Sequence, residues 1–380
     1  MRRYDMDWLR VIVFALLIFY HIGMFFVPWG FHIKNNVVYQ WLVYPMLFLN
    51  QWRLPILFVI SGMGTYYALQ RRSMFQFSLE RLKRLLLPLI FGILVVVPPQ
   101  VYLERLTKGE FSGNYFSYWP AQAFVGIYPT GNFSWHHLWF LPYLLLFSLV
   151  LIPIFRYVLL KAHSGNKGIW GRLVAHPLGI FVFVVPLYFT EAFMEPRFPI
   201  THALVGDWFT LVNFGILFLY GFLLISVKQV FWTTVEKYRR LFLAFGIIGF
   251  TLFLVIVFGF EDTTLVHYTE AFVKVFNLWS WILAIFGYAS KYLNKPSNIL
   301  RYCNEAVYPF YILHQSVMMV SCYYLRDLPW SLFTKFMVMV PFTFLGSWAI
   351  YELLIRRWKW VRPLFGLKPK THIRATKETV

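Results

Sequence analysis

The stretch D-W-L-R-V-I-V-F-A-L-L-I-F-Y-H, residues 7–21, decides how the rest of the chain is read. It is apolar except for Asp7 and Arg10 at its start and His21 at its end. Extended over 9–29, it supplies the roughly 20 mostly apolar residues that a bilayer-crossing helix needs. Ionisable side chains inside such a segment are costly and mark functional sites. Eleven helical steps turn about 1,100°, roughly 20° beyond three full turns. Arg10 and His21 therefore share one helix face, about 16 Å apart along its axis.

The remainder of the 380-residue chain supports a membrane reading. It is 59% hydrophobic and 13% charged, against about 25% charged in soluble domains. No single soluble core could hide that much apolar surface, whereas lipid covers it at no cost. Ten apolar stretches are long enough to span: 9–29, 47–69, 85–103, 137–157, 174–190, 208–227, 241–260, 272–290, 305–324 and 332–354. The expectation is an all-α polytopic membrane protein of about ten transmembrane helices. Residues 1–360 form its single transmembrane domain and 361–380 a basic cytoplasmic tail. The apolar run from Val37 to Leu69 is too long for one span and is interrupted by Arg53, which places its first part at the outer interface.

The formal net charge of +19 could suggest a nucleic-acid partner, but the placement of the basic residues gives another reason for it. With the N-terminus inside, 26 of the 35 Lys and Arg residues fall in cytoplasmic segments and five in outer loops. Reversing the chain would reverse that ratio, so both termini are expected in the cytoplasm and no nucleic acid is expected as partner. Cys303 and Cys322 lie about 28 Å apart on one helix, too far for a disulfide, and no zinc-type cluster is evident.

Four groups of residues could carry chemistry. Arg10 at the inner interface could hold an anion whose extended end reaches His21, where a neutral imidazole could act as general base. Asp7, one turn earlier, could orient Arg10. In F-S-L-E-R-L-K-R-L-L-L-P, residues 77–88, Arg81 and Arg84 are i,i+3 neighbours suited to a phosphate. S-G-M-G at 61–64 offers small residues, with Ser61 and Gly62 open to a helix or a ligand. W-H-H-L-W-F-L-P, residues 135–142, brings His137 to the outer end of a span. Adjacent His136 and His137 point about 100° apart and make a poor metal pair. N-E-A-V-Y-P-F-Y-I-L-H-Q-S, residues 304–316, holds His314 near mid-membrane and Glu305 at the inner mouth. Against each functional role stands anchoring by the positive-inside rule or helix–helix hydrogen bonding.

In order and position, these motifs resemble the acyltransferase-3 family of integral membrane acyltransferases. The resemblance rests on D-W-L-R at 7–10, R-x10-H from Arg10 to His21, F-V-I-S-G at 58–62 and R-x-x-R from Arg81 to Arg84. H-L-W-F-L at 137–141 and Y-I-L-H-Q at 311–315 continue it, so that it covers about 350 residues. Together with Y-E at 351–352, H-L-W-F-L resembles the glucan-biosynthesis branch, associated with succinylation of periplasmic glucans. The resemblance implies a cytoplasmic acyl-CoA donor, succinyl-CoA or acetyl-CoA, a glycan hydroxyl as acceptor, and a bacterial inner membrane location. It implies the key pair at Arg10 and His21 and donor binding at Arg81 and Arg84. Ser61 and Gly62 are assigned beside the donor, His314 and His137 beside the reacting carbonyl, and no metal is expected. The alternative class is a transporter or flippase for a lipid-linked or acidic solute, whose ionisable residues would line a path. A decoy is H-x4-D at His202 and Asp207, a glycerolipid acyltransferase pattern on the wrong side of the membrane for a cytoplasmic donor.

Overall fold

A computed structural model describes residues 3–163 and 168–369. Among them the secondary structure is helical, with an isolated bridge between Ile127 and Phe133. We number the helices α1 (Tyr4–Met24), α2 (Val43–Leu69), α3 (Met74–Lys108), α4 (Tyr115–Ala121), α5 (His136–Val150), α6 (Ile152–His163) and α7 (Gly168–Ala175). They continue as α8 (Gly179–Met194), α9 (Trp208–Ser226), α10 (Lys228–Lys237), α11 (Arg239–Gly259), α12 (Thr264–Tyr292), α13 (Asn298–Leu325) and α14 (Leu332–Ile355).

Among the described residues seven helices can cross a membrane by length and composition, or nine if the bent pairs α5–α6 and α7–α8 each count as one span. The fifth expected span, 174–190, is not straight: α7 and α8 meet at 116°, at the His176-Pro177 step. Proline disfavours helical backbone in the residue before it, which accounts for the break there. The ninth expected span lies in α13, where Pro309, His314, Gln315 and several tyrosines lower its apolar content. Much of α13 is buried against α1, α3 and α14 and does not need to be apolar toward lipid. α11 is the converse case: strongly apolar, yet with Ile247, Ile248, Leu252, Val255 and Phe258 exposed, as a lipid-facing helix requires.

Three local devices position the site. α2 and α9 cross with their backbones in contact. A Cβ on Gly62 would lie 1.9 Å from the Phe218 carbonyl oxygen, and one on Gly221 1.9 Å from that of Val59. Only glycine permits that approach. Gly62, assigned above to the donor, thus faces a neighbouring helix. We expect Gly62→Val to force the helices apart at a cost of about 1–3 kcal/mol. The thermal unfolding midpoint in detergent should drop by several degrees, and an unchanged midpoint would contradict the crossing.

The second device is α3, which continues unbroken through two π-turns, Leu82–Leu86 and Gly92–Val96. Such insertions often accompany functional sites, and the first carries Arg84. The third is the register of α1 and α13. They run parallel, with Arg10 beside Asn304 and His21 beside His314. Arg53, expected to interrupt the second span, lies within α2 and is buried over the Tyr20 ring at 3.4 Å. Beyond residue 360 the chain still packs on the bundle: Phe365 is buried, and Arg362 pairs with Glu305 at 3.0 Å. Residues 370–380 of the expected tail lie outside the described residues.

Candidate active site

The site is built in layers between α1, α2, α3, α5 and α13. At one end, Arg10 pairs with Asp7 at 3.6 Å and reaches the Asn304 Oδ1 at 3.4 Å. Asp7 thus takes the orienting position one turn before the guanidinium. Arg81 donates to the Thr65 hydroxyl at 3.1 Å, and Thr65 donates to the Ser61 carbonyl at 3.0 Å. Ser61 therefore supports the basic cluster through its backbone. Arg84 is half-exposed, 3.7 Å from Glu80. Arg10, Arg81 and Arg84 are close enough to act on one another's charge. Like charges converge in this way where an anion is to be bound.

One layer further along is an imidazole relay. His314 is fully buried, and its Nδ1 lies 2.7 Å from the Tyr311 carbonyl oxygen. A carbonyl can only accept, so Nδ1 carries the proton and the Nε2 of neutral His314 is a lone pair. That Nε2 lies 2.8 Å from His21 Nδ1, with the two rings coplanar to within 1°. His21 Nδ1–H therefore donates to His314, and His21 Nε2 is left as the basic lone pair. Among the described residues nothing hydrogen-bonds to His21 Nε2, and the ring is half-buried.

His137 packs edge-on against His314, with ring centroids 5.1 Å apart. Its Nε2–H donates to the Ile312 carbonyl at 3.0 Å, and its Nδ1 accepts from Gln100 at 3.4 Å. Tyr311 donates back to the His137 carbonyl at 2.7 Å. His314 and His137 were expected beside the reacting carbonyl. Both ring nitrogens of each are engaged; His314 contacts His21 directly, and His137 packs behind His314. Glu305 is taken up by Arg362.

Arg53, expected only to interrupt an apolar run, has a place in the packing of α1 on α2. Its side chain is 3% exposed, and its Nε and Nη1 have no hydrogen-bond partner among the described residues. Its charge reaches His21. A buried guanidinium with idle donors has the chemistry to receive an anionic or carbonyl oxygen. The signal in the sequence was the charge itself inside an apolar run.

His202 and Asp207 do not form an acid–base pair. Asp207 accepts from the His202 backbone N–H at 2.8 Å and from the Tyr143 hydroxyl at 2.5 Å, while the His202 ring stacks on Trp139 at 3.9 Å. Burial pushes the His202 pKa down to about 4. Cys303 and Cys322 are unpaired thiols.

A family model described as an acyltransferase domain matches residues 3–352, which include every residue of these layers. The chain belongs to the acyltransferase-3 family. The chain is 21% identical over 375 residues to glucans biosynthesis protein C of Escherichia coli O81 (strain ED1a), covering 93% of this chain and 92% of that protein. It is 25% identical over 169 residues to the protein of the same name from E. coli (strain SMS-3-5 / SECEC). That alignment covers 44% of this chain and 42% of the relative's own length. The relative from Shigella dysenteriae serotype 1 (strain Sd197) matches to the same extent. No solved structure matches the chain.

Proposed function

We propose that this membrane acyltransferase moves an acyl group, succinyl in preference to acetyl, from acyl-CoA to a glycan hydroxyl on the other side of the bilayer. The cluster of Arg10, Arg81 and Arg84 faces the cytoplasm in the bacterial inner membrane, in keeping with the basic residues gathered at that side. Its guanidinium groups take the nucleotide phosphates of CoA, and the flexible arm carries the thioester to His21. Arg53 receives the free carboxylate of a succinyl group. The acceptor enters from the end where His32 lies, and the relatives named for glucans biosynthesis support a glucan in that place.

The reaction needs one base at the meeting point. His21 Nε2 takes the proton of the sugar hydroxyl, and the oxygen attacks the thioester carbonyl carbon. The carbon–sulfur bond breaks, the ester forms, and the CoA thiolate takes the proton back from His21. His314 accepts from His21 Nδ1 throughout and keeps Nε2 turned to the substrate. The observation that carries this reading is the free Nε2 of His21, fixed by the His314–Tyr311 relay above a triple-arginine cluster. Cationic residues that only lined a transport path would need no fixed tautomer.

The test is ligand protection of the purified protein. A ligand at about 100 times its Kd stabilises the native state by about 2.7 kcal/mol. Saturating CoA should raise the unfolding midpoint of the wild type, and Arg81→Ala should remove most of that rise. No rise in the wild type, or an equal rise in the variant, would contradict the proposed donor site.

A further inference from the structure

A second cluster lies beyond the His21 layer, away from the arginines. Gln100, which touches His137, is followed one turn later on α3 by Glu104, fully buried. The neighbours His136 and His137 part company: His137 joins the His314 layer, and His136 joins Glu104 and His32. One ligand atom from each of His32, Glu104 and His136 lies within 4.8 Å of the others. The three come from separate segments: the loop after α1, α3, and the start of α5.

Several features go beyond an ordinary ion-pair network. His136 Nε2 is buried and has no hydrogen-bond partner among the described residues. Its backbone sits at φ +40°, an unfavourable conformation for a residue with a side chain. Its Nδ1 lies 3.2 Å from the Ser134 hydroxyl, which fixes the ring. Glu104 is held from behind: Lys108 lies 2.5 Å and the Tyr128 hydroxyl 3.1 Å from its Oε1, leaving Oε2 toward His32 Nδ1 at 2.8 Å. Carboxylates and imidazoles braced by outer partners in this way are typical metal ligands.

We propose that His32, Glu104 and His136 bind a zinc ion at the end of the bundle away from the arginine cluster, with the fourth coordination position open. Two imidazoles and one carboxylate suit zinc better than magnesium or calcium. Tetrahedral zinc with ligands at about 2.0–2.1 Å sets neighbouring donor atoms about 3.3 Å apart. The cluster reaches that spacing by small side-chain rotations, with His32 turning away from Glu104. The ion gives His136 Nε2 a partner and ties three segments together at that end of the bundle. The proposal does not depend on the acyl-transfer reading.

The test uses the full chain purified in detergent, stripped with chelator, equilibrated with zinc chloride and desalted. Elemental analysis should find about one zinc per chain, falling at least tenfold in His136→Gln. Cobalt substitution of the wild type should give the intense visible bands of a four-coordinate site. A wild type that retains no zinc, or that gives only weak six-coordinate cobalt bands, would overturn the site. So would equal retention by His136→Gln. If that variant does not fold, His32→Asn replaces it, and equal retention there has the same force.

Discussion

Replacing His21 with alanine is expected to slow acyl transfer by about 10²–10⁴-fold, the range a positioned general base supplies. The protein should still insert and unfold at nearly the wild-type temperature, because the side chain is half-buried and makes one hydrogen bond, to His314. No neighbour can replace it. His137 has both ring nitrogens engaged, and His314, whose Nε2 the substitution leaves without its partner, is fully buried and stays held at Nδ1 by the Tyr311 carbonyl. The same geometry ranks two changes at His314. Glutamine can still accept from His21 Nδ1 and should retain part of the rate, whereas leucine should lose most of it. Initial rates on purified protein, with unfolding midpoints as the control, check this order. Activity within a few-fold of wild type in His21→Ala would remove the base from the mechanism.

The second large effect falls on Arg53. Arg53→Met keeps a long side chain over Tyr20 but loses the idle N–H donors. Losing one partner of a buried charge pair costs about 2–5 kcal/mol, and each 1.4 kcal/mol is tenfold. Transfer from succinyl-CoA should therefore fall on the order of 10²-fold or more. Transfer from acetyl-CoA, which offers no carboxylate, should change by only about threefold. Stability should hold or rise, since a buried cation without a hydrogen-bonding anion is being replaced by an apolar group. Equal losses with both donors would assign Arg53 to the thioester carbonyl, and no loss with either would make it structural.

Much of this was legible in the sequence because lipid imposes simple rules. An apolar run of the right length and a spacing that puts Arg10 and His21 on one face each follow from helix geometry or solvation. The bends did not show in the same way. The break between α7 and α8 falls at a proline, and the two π-turns of α3 are changes of hydrogen-bond register, which an apolar count ignores. Gly62 shows the ambiguity of small residues: the same side chain suits a ligand or a helix, and the backbone of α9 decides it. His21 and His314 stand 293 residues apart, and their hydrogen bond comes only from the parallel register of α1 and α13. His32 and Glu104 escaped notice for the same reason, since 72 residues separate them. Arg53 is visible in the sequence as a charge inside an apolar run, whereas its burial over Tyr20 follows only from the packing of α1 on α2.

The central claim is that donor and acceptor reach His21 from opposite faces of the membrane. Inverted membrane vesicles with an oligoglucan sealed in the lumen, supplied outside with labelled succinyl-CoA that cannot cross lipid, test this directly. Label should appear in the lumenal glucan with the wild type and be nearly absent with His21→Ala. Equal labelling by the two proteins, or label confined to glucan outside the vesicles, would contradict the account.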